Sequence, residues 1–77
     1  MKHFLLIYNR TLGELVEAPN GFDDAYEAMR ARNARELAEI AHPEIEVVVL
    51  SAENLDALML THSRYFMSAS ALIRAAS

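Results

Sequence analysis

Thr61-His62-Ser63-Arg64-Tyr65 gathers more reactive side-chain types than any other stretch of the chain. A histidine beside a serine invites a nucleophile–base reading, in which the imidazole takes up the hydroxyl proton. On a helix, however, adjacent residues project about 100° apart, so His62 and Ser63 do not face each other. His62 falls instead on the apolar stripe formed by Leu55, Leu58, Met59, Phe66, Ala69 and Ile73. There it reads as a structural histidine bonded to Asn33 or to the hydroxyl of Tyr26 or Tyr65. Ser63 and Arg64 point away from the stripe and read as surface residues. No catalytic residue is expected.

Other constellations are weaker. His3, His42 and His62 lie in three separate elements, without a second ligand at helical spacing, so neither a metal nor a cofactor is expected. The chain has no cysteine, which removes disulfides and thiolate zinc sites. Arg30, Arg32 and Arg35 diverge around a helix, and Arg32–Glu36 and Arg35–Glu39 form i,i+4 pairs; this is a solvated face. With a net charge of −4, a nucleic-acid partner is not expected. The opening MKHFLLIYNR is too short for a secretory core, and no run is long enough for a membrane span. The expected location is the cytoplasm, without a membrane partner.

The elements that must position these residues follow from periodicity. HFLLIY (3–8) reads as a central strand apolar on both faces, and NRTLG as a turn. ELVEA reads as the return strand, broken by PNG at 19–21. A first helix capped by Asp23 should run to about Ala41, turning a stripe of Tyr26, Met29, Asn33, Leu37 and Ile40 toward the core. EIEVVVL (44–50) is a third strand. Ser51 then caps a second helix that, without Gly or Pro, is expected to continue to about Ala76. The expected fold is a single α+β domain over 1–77 of pattern ββαβα. Its three-stranded sheet carries two helices mainly on one face, with a right-handed crossover from strand two to strand three.

At about 1.5 Å per residue the last helix would overhang strands only about 17–20 Å long. Its far half carries Leu60, Tyr65, Met67, Ala71, Leu72 and Ile73, apolar on two sides, and these are the expected contacts of a homodimer. Burial and chain entropy nearly cancel in a domain this small, which adds to the need for a partner. The preferred reading is a non-enzymatic cytoplasmic homodimer acting as a protein-interaction module. The alternative is a small-molecule-binding or enzymatic dimeric α+β protein with a pocket near Asn33, His62 and Tyr65.

HFLLIYNRTLGEL, the helix that begins after Phe22, and EVVVLSAENLDALMLTHSRYF together resemble small proteins of actinobacteria and their phages that carry no established activity. That resemblance implies a phage-type modulator of a host or cellular protein. FLLIY alone also resembles the first strand of YCII-like dimeric α+β proteins. That family is associated with a histidine–aspartate pair in its pocket, and no equivalent pair can be placed in this chain.

Overall fold

Four consecutive side chains, Phe4, Leu5, Leu6 and Ile7, are buried, and this doubly apolar run organises the molecule. A computed structural model describes residues 1–67. It shows an α+β fold with a four-stranded antiparallel sheet and two α-helices. The strands are β1 (Lys2–Asn9), β2 (Glu14–Leu15), β3 (Asn20–Phe22) and β4 (Ile45–Ala52). β1 is central, as its composition requires. It pairs with β4 along all eight residues, from Lys2 opposite Ala52 to Asn9 opposite Ile45. Along its other edge lie β2, at Tyr8 and Asn9, and β3, at His3 to Leu5.

The return strand expected over ELVEA is thus reduced to Glu14–Leu15, and β3 gives the described residues one strand more than ββαβα provides. Between the two short strands the Val16 amide still donates to the Ile7 carbonyl at 2.8 Å, and no strand is formed over 17–19. Asn20 and Gly21, read from sequence as part of the PNG breaker, pair with β1 together with Phe22, because Gly21 permits a close approach. A Cβ there would lie 3.2 Å from Lys2 Cδ and 3.3 Å from Phe4 Cε1. The turn before β2 forms as expected: Asn9 Oδ1 accepts from the Leu12 amide at 3.0 Å, and Gly13 takes φ +69.

β3 and β4 run parallel on either side of β1, connected by α1 (Ala25–Ala38), while α2 (Leu55–Thr61) comes after β4. Alternation along β1 sends the two helices to opposite faces, not to one. Leu5 and Ile7 pack with Val47, Val49, Phe22 and Ala31 on the α1 side. Phe4 and Leu6 pack with Leu58, Tyr65 and Phe66 on the other. A strand apolar on both faces demands cover on both, and one helix on each side supplies it.

The helix ends also move. Asp24 rather than Asp23 caps α1, its side chain accepting from the Tyr26 amide at 3.0 Å. Asn54 rather than Ser51 caps α2, accepting from Ala57 at 2.8 Å, because β4 continues through Ser51 to Ala52.

The expected long last helix is interrupted at His62. Thr61 Oγ1 bonds back to the carbonyls of Ala57 and Leu58 at 3.0 and 3.4 Å, a pattern that bends helices. His62 leaves helical geometry at φ −127, ψ 48, and a 3₁₀ turn (Ser63–Phe66) comes next. A straight helix would carry Tyr65 past the end of the sheet, whereas the bend sets it on the core at 5 % exposure.

α1 is rotated by about half a turn from the expected orientation. Ala28 is fully buried and Ala31 packs on the sheet, while Tyr26, Leu37 and Ile40 are 69, 71 and 79 % exposed. Two features favour this. Asn33 lies in the middle of the larger stripe, where burial of an unpartnered amide is costly. The opposite face is small enough for close approach, and the half-buried Arg32 and Arg35 lay their stems along it while pairing with Glu36 at 3.0 Å and Glu39 at 3.1 Å. Arg35 also reaches Glu17 at 3.1 Å, tying α1 to the segment between β2 and β3.

The alanine contact sets the separation of helix and sheet, so overpacking it should be felt. Ala28→Leu should lower stability by about 1–3 kcal/mol in urea unfolding. Retention of the wild-type midpoint would mean that the alanine face does not bear on the sheet.

Candidate functional site

The densest group of ionisable side chains surrounds Glu46, a carboxylate facing the α2 side of β4. It lies opposite Tyr8 in the β1–β4 ladder, and only 17 % of its side chain is exposed. A charge so placed needs partners. Tyr65, brought in by the 3₁₀ turn, donates its hydroxyl to Glu46 Oε2 at 2.5 Å. Arg64 Nη2 donates to the same oxygen at 3.0 Å and to the Tyr65 hydroxyl at 2.5 Å. Arg10 Nε lies 3.3 Å from Oε1.

Aromatic contacts close the group. The Tyr8 and Tyr65 rings meet edge to face, with centroids 5.1 Å apart and planes at 88°. The Arg64 guanidinium carbon lies 4.1 Å from the Tyr65 centroid and 5.9 Å from that of Tyr8. Burial, reinforced by the hydrogen bond to Glu46 and its negative charge, raises the Tyr65 pKa above its ordinary value; Arg64 opposes the rise.

This arrangement is chemically quiet. Both Glu46 oxygens are engaged by donors, and the raised Tyr65 pKa keeps the phenol protonated as a donor rather than a nucleophile. What the group does is clamp the 3₁₀ turn to the ends of β1 and β4. Sequence reasoning missed it, treating Arg64 as an ordinary surface residue. The available signal was a glutamate in a strand otherwise rich in valine.

The residues expected to form a pocket do not meet. Asn33 is exposed on α1, its Oδ1 accepting from Arg32 at 3.3 Å, while Tyr65 is buried on the other side of the sheet. His62 is the half-buried C-cap of α2, and its Nδ1 lies 3.0 Å from Thr61 Oγ1, not beside Asn33, Tyr26 or Tyr65. The sheet separates Asn33 from Tyr65, so these three residues cannot line one cavity.

Of the expected dimer contacts, Leu60 and Met67 are exposed at 83 and 61 %, whereas Tyr65 is committed to the core of its own chain. Ala71, Leu72 and Ile73 lie outside the described residues. The histidines remain apart. His3 Nδ1 lies 2.7 Å from Ser51 Oγ across the β1–β4 ladder, and His42 Nδ1 lies 3.6 Å from Glu44. Among the described residues no three His, Cys, Asp or Glu side chains are grouped to hold a metal ion. No helix among those residues is long and apolar enough to cross a membrane. No family model, curated protein or solved structure matches the chain.

The clamp generates a prediction for alkaline solution. Because the folded pKa of Tyr65 is raised, its contribution to stability is whole below the unfolded value of about 10 and is lost as pH rises through the folded value. Tyr65→Phe should cost about 1.5–3 kcal/mol near neutrality, by removing a donor to a buried carboxylate. The variant should also lose less stability than the wild type on going from pH 9 to pH 11. Parallel denaturation series at several pH values would read both effects; equal alkaline slopes would contradict the assignment.

Proposed function

We propose that this chain is a non-enzymatic protein-interaction module, acting as a homodimer in the cytoplasm on a host or cellular protein. The observation that carries this reading is the rotation of α1. The helix presents alanine to its own sheet and leaves Tyr26, Leu37 and Ile40 more than two-thirds exposed. Side chains of that size gathered on one surface lose contact with water when a partner covers them, which favours association. The fully engaged carboxylate of Glu46 and the contact of His62 Nδ1 with Thr61 Oγ1 rather than with Ser63 provide no competing catalytic reading. The action on a host protein rests on the resemblance to small phage and actinobacterial proteins.

Light scattering at micromolar concentration should give twice the chain mass. A folded species of single mass at that concentration would defeat the homodimer reading, and with it the role given to the α1 surface.

A further inference from the structure

The exposed line that runs along α1 onto the turn after it has an internal symmetry in its spacing. Tyr26 and Ile40 stand seven residues to either side of Asn33, and Met29 and Leu37 stand four to either side. A two-fold axis through Asn33 therefore sets Tyr26 of each copy beside Ile40 of the other, Met29 beside Leu37, and Asn33 against its own mate. Isologous interfaces need this kind of self-complementary spacing. Resting on the homodimer reading above, we propose that the dimer forms by antiparallel pairing of α1 with α1 of a second copy, with Asn33 on the axis.

Four observations converge on that occupant. The first is reach: α1 has 14 residues, about 21 Å, and Ile40 extends the line onto the turn after it. The seven-residue α2 spans about half that length. The second is area. Covering Tyr26, Met29, Leu37 and Ile40 removes on the order of 500 Å² per chain, and the flanking side chains bring this toward the roughly 800 Å² per partner of a standard interface. The third is the amide at the centre. Asn33 has one acceptor contact, to Arg32 at 3.3 Å, and its NH2 group has no partner among the described residues. Two Asn33 side chains meeting on the axis can each donate to the other, and one such polar position in an apolar helix seam fixes register. The fourth is charge. Glu36 of one copy and Arg32 of the other fall on the same flank, separated by about 3 Å along the axis, so the 3.0 Å Arg32–Glu36 pair becomes half of a four-member network.

Because the chain has no cysteine, each single-cysteine variant reports one position. Under mild oxidation Asn33→Cys should become a covalent dimer in high yield. Leu60→Cys, at a position that is 83 % exposed, should link only at the background rate of collision. Chains carrying Tyr26→Cys mixed with chains carrying Ile40→Cys should cross-link to each other more than either does to itself. Efficient self-linking of Tyr26→Cys would indicate parallel pairing and overturn the proposal. Leu37→Asp, checked for retained fold by circular dichroism, should raise the dimer dissociation constant at least tenfold; an unchanged constant would also overturn it. If the unmodified chain is dimeric but Leu60→Cys or Met67→Cys links where Asn33→Cys does not, the α1 seam is wrong while the homodimer reading stands. A folded monomer would end both.

Discussion

The pairing of β1 with β4 over eight residues, with apolar side chains on both faces of each strand, is the constraint on which the rest of the molecule depends. A sheet apolar on one side only could leave the other to water. Here Leu5, Ile7 and Val47 require cover on one face, and Phe4 and Leu6 on the other, so each helix goes to a different side. One short helix per face leaves little apolar surface in reserve, and how each helix is turned becomes the decisive choice.

On the α1 face that choice favours proximity over size. Alanine at 28 and 31 brings the helix backbone close to the sheet, and arginine stems cover the edges while their charges pair with Glu17, Glu36 and Glu39. The consequence is an outward line of large apolar side chains centred on an asparagine. A protein with a wider sheet and more helices could bury that line internally; here it stays exposed.

On the opposite face a patch ending at Tyr8 must be covered by the residues C-terminal to β4. The bend at His62 solves this by folding the 3₁₀ turn back over the sheet, and Glu46 holds it there through Tyr65 and Arg64. The same bend dissolves the apparent chemistry of Thr61–Tyr65. Its polar letters divide between a helix cap, an exposed serine and a structural clamp. Glu46 is mostly shielded while its arginine partners stay exposed, so removing the Tyr65 donor leaves a shielded carboxylate short of a partner, which is costly.

Strand β1, its central position, the Asn9–Gly13 turn, the existence of both helices and the ion pairs Arg32–Glu36 and Arg35–Glu39 were legible in the chain itself. Each rests on short-range physics: alternation, turn geometry, capping and i,i+4 reach. The face each helix takes, the rotation of α1, the end of α2 and the Glu46 clamp were not. They depend on which surface remains uncovered once β1 and β4 have paired. Periodicity could identify the stripe on α1 but not whether it turns inward, because hydrophobicity ranks side chains by size and is silent about the cost of burying Asn33 among them. Local sequence determined the elements; the two-sided sheet decided which of their faces the molecule keeps and which it offers.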